Sequence, residues 1–128
     1  MEYALITGAS RGIGKATAIR LASKGYGIVI NYKTNDESAQ ATLNEIEMLG
    51  AKAELLKFDV SEESAIESAL EKWELEHPDD YISVLVNNAG IRKDNLMIFM
   101  QNSEWHNVID TTMNGFFYIT RRLLKNML

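Results

Sequence analysis

The sequence predicts an α/β fold in which a parallel sheet is covered on both faces by helices. Short, continuous apolar runs, such as residues 28–30 and 82–86, alternate along the chain with longer amphipathic stretches. Strands that are buried on both faces have this continuous apolar character, and the helices between them supply the crossovers. Right-handed crossovers place the four predicted strands in the order 3-2-1-4 of a doubly wound sheet.

The first three elements follow one another closely. The first strand is predicted over residues 3–7 and the second over residues 28–30, where apolar residues are continuous. The first helix is predicted between them, over residues 13–24, with an apolar stripe formed by Ala16, Ile19, Leu21 and Ala22.

A second helix and a third strand come next. Thr34 and Glu37 have the spacing of a capping box, in which each side chain bonds a free backbone N–H of the first turn. This pattern predicts a helix that starts there and ends near Gly50. The third strand is predicted over residues 53–58.

The remaining elements complete the alternation. The two glutamates at 62–63 predict the first turn of a third helix, because carboxylates are favoured at the positive end of the helix dipole. A polar break over residues 76–80 precedes the fourth strand, over 82–86. From residue 103 to the end, the pattern predicts one long helix or two consecutive ones.

The composition fits one ordinary globular domain that binds neither nucleic acid nor a membrane. The 128 residues are 46% hydrophobic and 24% charged, and their net charge of −5 would repel nucleic acid and anionic lipid. No apolar run reaches the roughly 18 residues of a membrane helix, and no signal-peptide pattern is present, so we expect a cytoplasmic location. Because the chain lacks cysteine, disulfides and thiolate metal sites are excluded, and no metal site is predicted.

A glycine-rich turn follows the first strand and carries the strongest functional signal. Its sequence is Thr-Gly-Ala-Ser-Arg-Gly-Ile-Gly, residues 7–14. Gly8 permits a tight turn, Gly12 lets the backbone approach phosphates, and Gly14 lets the helix pack closely on the strand. A turn of this kind, between a buried strand and a helix, predicts a pyrophosphate site at the helix N-terminus.

A second motif, Asn87-Asn88-Ala89-Gly90, follows the fourth strand. Together the two motifs resemble those of the short-chain dehydrogenase/reductase family, and the resemblance runs over residues 3–128. Residues 9–14 and 87–97 are most similar to the members that reduce 3-oxoacyl groups on acyl carrier protein during fatty-acid synthesis. The resemblance implies a Rossmann-type fold and a nicotinamide dinucleotide.

The end of the second strand bears on the choice of cofactor. Asn31, Tyr32 and Lys33 stand where NAD-binding proteins commonly have an acid that accepts from the ribose 2′-hydroxyl. Without that carboxylate, a 2′-phosphate is not repelled, and Lys33 and Arg11 can pair with it. The resemblance also implies NADP(H), although Lys33 could equally be an ordinary solvated lysine.

The resemblance implies further cofactor contacts. Asp59 and Val60, after the third strand, correspond to residues that meet the adenine, with a helix cap as the alternative role of Asp59. Ser10 is either a phosphate donor or a simple turn residue. The complete set of expected cofactor-binding residues is Gly8, Ser10, Arg11, Gly12, Ile13, Gly14, Asn31, Tyr32, Lys33, Asp59, Val60, Asn87, Asn88, Ala89 and Gly90.

The family's catalytic serine, tyrosine and lysine are not found in this sequence. None of the five tyrosines is followed by lysine at the fourth position, so Tyr-x-x-x-Lys is absent. A fourth catalytic residue, an asparagine in Asn-x-x-Gly-x-Phe, is replaced by Thr112 when Gly115 and Phe117 are aligned. Asn114 lies about 200° around an α-helix from Thr112 and should not substitute for it.

The strand order leaves the fourth strand at an open edge. In a doubly wound sheet this strand pairs with a fifth, so the side chains of Ile82, Val84, Leu85 and Val86 would line the edge. Burying each such side chain is worth about 1.5–3 kcal/mol. We therefore expect residues 1–128 to be the N-terminal, dinucleotide-binding part of a longer domain, or a piece that associates with a partner.

The expected function is NADPH-dependent reduction of a 3-oxoacyl thioester to the 3-hydroxy form, with this chain supplying the cofactor-binding half. The alternatives are a catalytically inactive dinucleotide-binding module and a short-chain reductase for another alcohol or ketone, such as a sugar or steroid. Expected partners are the thioester, acyl carrier protein, for which Arg92 and Lys93 are candidates, and a second copy of the chain.

Overall fold

The computed structural model describes residues 1–90 and 96–128, so Arg92 and Lys93 lie outside the described residues. One parallel sheet forms the centre of the molecule, in the order β3-β2-β1-β4. Its strands are β1 (Glu2–Ile6), β2 (Gly27–Tyr32), β3 (Ala53–Lys57) and β4 (Tyr81–Val86). The predicted strand order is confirmed, and the carboxyl ends of all four strands meet at one edge.

The helices alternate with the strands as predicted. They are α1 (Gly12–Ser23), α2 (Asp36–Met48), α3 (Glu63–Glu76), α4 (Asn102–Ile109) and α5 (Gly115–Met127), with a short 3₁₀ turn, Met97–Phe99, before α4. A π-helical turn, Asp110–Asn114, joins α4 to α5 without a break. The predicted helix after residue 103 is therefore one continuous helix with a π-helical turn in its middle. Such turns are frequent at functional sites.

Alternating side chains of the strands form two separate cores. Tyr3 and Leu5 face α3 and α5, where they pack in a cluster with Trp73 and Leu123. Ala4 and Ile6 face α1 and α2 in a second cluster, formed with Ala18, Ala22, Ile28, Ile30 and Ile46. Both faces of the sheet are thus covered, which is why its central strands are apolar throughout.

The buried stripe of α1 differs from the predicted one. Gly14, Ala18 and Ala22 are buried at four-residue spacing, whereas Ala16 is exposed. Ile19 and Leu21 are only partly buried. The small residues at every fourth position let the helix axis approach the sheet closely, so size as well as hydrophobicity selects the inward face.

The N-terminus of α2 is capped by a different residue from the predicted one. The side-chain oxygen of Asn35 accepts a hydrogen bond from the Ser38 amide at 2.9 Å. The predicted capping box of Thr34 and Glu37 is wrong, because the helix begins one residue later than that pairing requires. Asn35 and Thr34 are both good capping residues, and their order in the sequence does not decide between them.

The β4 edge agrees only in part with expectation. Val84, Leu85 and Val86 are partly exposed along the outer strand of the sheet. Ile82 is wrongly expected there, since it is 5% exposed and packs in the core against α5. Ile82 pairs with Tyr3 of β1, and both side chains belong to the same core cluster. The register with β1 shifts after this pair, between Tyr3 and Ala4.

His77, which follows α3, lies at the amino ends of the strands and joins α3 to β3. Its Nδ1 lies 2.7 Å from the Trp73 carbonyl oxygen, and its Nε2 lies 2.6 Å from the Glu54 carboxylate. The imidazole ring stacks on Trp73 with ring centroids 4.4 Å apart. His77 therefore has a structural role, as its isolated position in the sequence suggests.

Two further observations concern only the residues that the structure describes. None of their helices combines the length and the apolar character needed to cross a membrane. Within 1–90 and 96–128, no group of three or more histidines, aspartates and glutamates is arranged to hold a metal ion.

The observed helix cap leads to a direct prediction about stability. Asn35→Ala should lower the free energy of unfolding by about 1 kcal/mol, because the Ser38 amide loses its acceptor. Thr34→Ala is the matched control and should change it by less than about 0.5 kcal/mol. Urea denaturation of the two variants tests this. A larger loss of unfolding free energy for Thr34→Ala would favour the capping box of Thr34 and Glu37 instead.

Candidate functional site

The loop between β1 and α1 has a backbone that only glycine adopts easily at two positions. Gly8 and Gly12 have φ angles of 65° and 60°, in the left-handed region. A Cβ added at Gly12 would meet no atom within 4 Å, so this glycine faces open space. The backbone at Gly12 is therefore accessible to a ligand.

Gly14 has close neighbours beyond those that the prediction named. A Cβ at this position would collide with the carbonyl oxygen of Gly8 and would lie 2.5 Å from the side-chain nitrogen of Asn88. The start of α1 therefore lies close to its own loop and to Asn88, and Gly14 also lies on the inward face of the helix.

Thr7 and Asn88 tie the two glycine-containing motifs together. The Thr7 hydroxyl oxygen accepts hydrogen bonds from the backbone amides of Asn88, at 2.9 Å, and Ala89, at 2.8 Å. In return, the side-chain amide of Asn88 donates to the Gly8 carbonyl at 3.0 Å. The first loop and the segment after β4 therefore hold each other in one fixed arrangement.

Asn31 fixes the same loop from the other side. Its side-chain oxygen accepts from the Gly8 amide at 3.3 Å, and its side-chain nitrogen donates to the carbonyls of Leu56 and Phe58 at 3.2 and 3.1 Å. The residue is 2% exposed. Because both its oxygen and its nitrogen are engaged, Asn31 acts as a clamp that joins β2 to the loop after β1 and to the end of β3. Its predicted contact with a cofactor stays a prediction.

The first turn of α1 presents backbone donors to this region. Arg11 is the N-cap in an extended conformation, and its side chain makes no capping bond. The first amide of the helix to reach a carbonyl within it is that of Lys15, which bonds the Arg11 carbonyl at 3.2 Å. The preceding amides, at residues 12–14, belong to the turn that lacks intrahelical acceptors, and the first turn contains no acidic residue.

A cavity of about 510 Å³ lies over the carboxyl ends of the strands. Thirteen of the fifteen predicted cofactor residues line it, the exceptions being Gly14 and Asn87. Thr34, Asn35 and Phe58 complete the lining. The structure thus brings together four segments that are distant in the sequence, as expected for a ligand site at the switch point of a doubly wound sheet.

Asp59 and Lys33 pair across the wall of this cavity. The Lys33 ammonium lies 3.3 Å from one carboxylate oxygen of Asp59, and the other accepts from the amide and hydroxyl of Ser61 at 2.9 and 2.8 Å. Burial acts to raise the pKa of Asp59, but the Ser61 and Lys33 contacts outweigh it and leave the pKa below its ordinary value. Asp59 is therefore an anion that already has partners.

A second cavity, of about 230 Å³, adjoins the first and contains the predicted catalytic position. Thr112 lines it from the π-helical turn, together with Thr7 and Asn87. A Cβ added at Gly90 would lie 3.6 Å from the Thr112 hydroxyl oxygen. Asn114 instead donates to the Asp110 carboxylate at 2.9 Å.

Two polar side chains of the site were missed by reasoning from the sequence. Thr7 was treated only as part of the motif, yet it is 1% exposed and links both loops. Thr42, in the middle of α2, donates to the Ser10 carbonyl at 3.0 Å and so fixes the phosphate-loop candidate from outside. The signal available in the sequence is spacing, because Thr42 lies three residues after Ala39 and four before Ile46, on the apolar face of α2.

Comparison with protein families gives a clear assignment. The family model described as short chain dehydrogenase matches residues 2–128, which is nearly the whole chain. The chain belongs to the short-chain dehydrogenase family. The predicted fold and family are therefore both confirmed, and the parallel sheet is the Rossmann-like sheet of this family.

Individual relatives show the same relationship over about half of their length. The chain is 38% identical to a 3-oxoacyl-[acyl-carrier-protein] reductase of Staphylococcus epidermidis over 99% of this chain and 51% of that protein. It is 40% identical to the Escherichia coli K12 protein of the same name, over 99% of this chain and 50% of that one. The chain thus spans about half the length of these curated relatives.

A solved structure agrees with the fold in detail. A protein of Agrobacterium tumefaciens assigned as a gluconate dehydrogenase superposes with a TM-score of 0.90 and 39% sequence identity. The match covers 98% of this chain and 49% of that one. Relatives with different substrates in their names are therefore about equally similar to this chain.

The clamp formed by Asn31 can be tested by substitution. Asn31→Leu should lower the free energy of unfolding by more than about 2 kcal/mol, because one buried amide and two carbonyls lose their partners. Asn44→Leu, on the exposed face of α2, is the matched control and should change it by less than about 0.5 kcal/mol. Equal losses in urea denaturation would contradict the clamp.

The contacts of Asp59 predict a specific dependence of stability on pH. A carboxylate whose pKa is lower in the folded state stabilises it above the unfolded pKa of about 3.9, and the effect is lost as pH falls through the folded value. The free energy of unfolding of Asp59→Asn should therefore fall less steeply between about pH 5 and pH 2 than that of the wild type. Asp79→Asn, at an exposed loop position, serves as control, and an unchanged slope for Asp59→Asn would refute the assignment.

Proposed function

We propose that the chain forms the cofactor-binding half of an oxidoreductase that uses NADPH to reduce a 3-oxoacyl thioester carried by acyl carrier protein. The observation that carries this proposal is the cavity into which the loop of residues 8–14, the end of β2, the end of β3 and the segment after β4 all converge. The similarity to 3-oxoacyl-[acyl-carrier-protein] reductases supports the substrate class.

The loop of residues 8–14 fits a pyrophosphate. Gly12 leaves its backbone uncovered, and the first turn of α1 directs unpaired amides and the positive end of the helix dipole toward the cavity. Gly8 and Ala9 do not contribute donors, because their amides bond to Asn31 at 3.3 and 2.9 Å. The proposed donors are therefore the amides of residues 12–14 and the Ser10 hydroxyl.

The remaining walls of the cavity suit an adenosine. Asp59 and Val60 are proposed to hold the adenine, while Ala89 and Gly90 leave space beneath the ribose. Arg11 and Lys33 are proposed to receive the 2′-phosphate of NADPH, with Lys33 exchanging its contact with Asp59 for the phosphate. When bound, the dinucleotide would supply the hydride for reduction of a carbonyl group.

The second cavity is proposed as the place where the reactive end of the cofactor would meet its substrate. Thr112 is the candidate for the position that the family gives to a catalytic asparagine, with its hydroxyl close to Gly90. Turnover also requires the family's serine, tyrosine and lysine, which this sequence does not contain. The active form is proposed to be a cytoplasmic homo-oligomer that includes those groups.

A second candidate function is the oxidation or reduction of a sugar acid or other small alcohol. The similarity to the Agrobacterium tumefaciens protein assigned as a gluconate dehydrogenase favours it, at 39% identity. Turnover assays of a longer form that also carries Tyr-x-x-x-Lys distinguish the two, with a 3-oxoacyl thioester and gluconate as substrates. If neither is turned over but NADPH is bound, both candidate substrates are wrong, and the alternatives are another carbonyl substrate and an inactive binding module.

The cofactor assignment is tested by direct titration. Replacing both Arg11 and Lys33 with alanine should weaken NADPH binding by roughly tenfold or more, because two cations that pair with the 2′-phosphate are lost. Binding of NADH, which lacks that phosphate, should change by no more than about twofold. Isothermal titration calorimetry measures both dissociation constants, and Lys24→Ala at the far end of α1 is the control. Equal loss of both cofactors would contradict the assignment.

A further inference from the structure

Six charged side chains lie on the segments that meet near the turn between β2 and α2, where the proposed cofactor would place its adenosine ribose. Arg11, Lys33 and Asp59 line the cavity, Lys57 pairs with Asp36, and Glu37 stands in the first turn of α2. Three are cations and three are carboxylates. The charges cancel, so that the loss of any one cation leaves the turn negative. Such a balance matters for a ligand that differs from its competitor by one phosphate group.

Lys57, at the end of β3, neutralises one of these carboxylates directly. Its ammonium nitrogen lies 3.1 and 3.3 Å from the two oxygens of Asp36. The Tyr32 hydroxyl donates to the same carboxylate at 2.8 Å. The Lys57 ammonium also lies 5.9 Å from the centroid of the Tyr32 ring, so the three side chains form one connected group.

This group keeps a negative charge out of the cavity. Tyr32, Thr34 and Asn35 line the cavity, whereas Asp36, the next residue in the chain, does not. Tyr32 is 7% exposed and its ring is fixed by packing, which gives the Asp36 carboxylate a rigid anchor on the outer side of the turn. Lys57 supplies the charge that compensates for it there.

We infer that Lys57 is a positioning residue for cofactor choice: by neutralising Asp36 and holding its carboxylate outside the cavity, it allows a 2′-phosphate to approach residues 32–35. This inference rests on the proposed use of NADPH. Lys57 acts through Asp36 and does not line the cavity itself. Without it, Asp36 becomes an uncompensated anion beside the ribose and favours a 2′-hydroxyl over a phosphate.

The test is a double-substitution cycle read by the affinities for NADPH and NADH. Lys57→Met should weaken NADPH binding by roughly three- to tenfold and leave NADH binding within about twofold. Lys57→Arg should bind as the wild type does, because the positive charge is retained. Lys57→Met combined with Asp36→Asn should recover the wild-type preference, because both charges are then removed. Lys72→Met, in the exposed pair with Glu76 on α3, is the control.

The outcomes separate this inference from the function on which it rests. A wild-type chain that binds NADH but not NADPH would overturn the proposed cofactor, and the role of Lys57 with it. A wild-type chain that prefers NADPH, but whose Lys57→Met variant loses both cofactors equally, would overturn only the inference. The inference would also be overturned if adding Asp36→Asn to Lys57→Met failed to recover the preference for NADPH. Lys57 would then be only a surface contact between β3 and α2. Circular dichroism of each variant ensures that folded proteins are compared.

Discussion

The open shape of the loop after β1 depends on three polar side chains that tie it to the neighbouring segments. Asn31, in β2, and Asn88, after β4, bond the amide and the carbonyl of Gly8, while the hydroxyl of Thr7 accepts from the amides of Asn88 and Ala89. A buried backbone group without a partner is costly, so these bonds largely determine where the loop can lie. Because the Gly8 amide is bonded by Asn31, the donors left for a ligand are concentrated at the start of α1.

The position of this loop in the sheet gives the rest of the site its geometry. In a parallel sheet, all strands end at the same edge, and the order β3-β2-β1-β4 places β1 in the interior. The segments after β2, β3 and β4 therefore flank the loop without any direct sequence relation to it. The two cavities share Val60 and Ala89, so the larger cavity is continuous with the one that the π-helical turn lines through Thr112.

Patterns that recur along the chain predicted the strands, their order and nearly all of the residues around the cavity. The sequence patterns did not predict which of two chemically similar neighbours takes a given role, nor which contacts some side chains make. Thr34 and Asn35 can both cap a helix, and only the observed start of α2 selects Asn35. Ile82 belongs to an edge strand, yet it is buried in the same cluster as Tyr3, its partner in β1. Asn31 lines the cavity as predicted, but its side-chain amide also bonds three backbone groups, one in the loop after β1 and two at the end of β3, which no local pattern reveals.

The proposed function depends on the turn of residues 8–14 holding two linked phosphates. Titration of the ¹⁵N-labelled chain with ADP-ribose, followed through amide chemical shifts by nuclear magnetic resonance, tests this. We expect saturable shifts that are largest at residues 10–14, with smaller ones at 59–60 and none around His77 at the opposite edge of the sheet. Shifts that are absent from residues 10–14, or that are centred elsewhere, would contradict it.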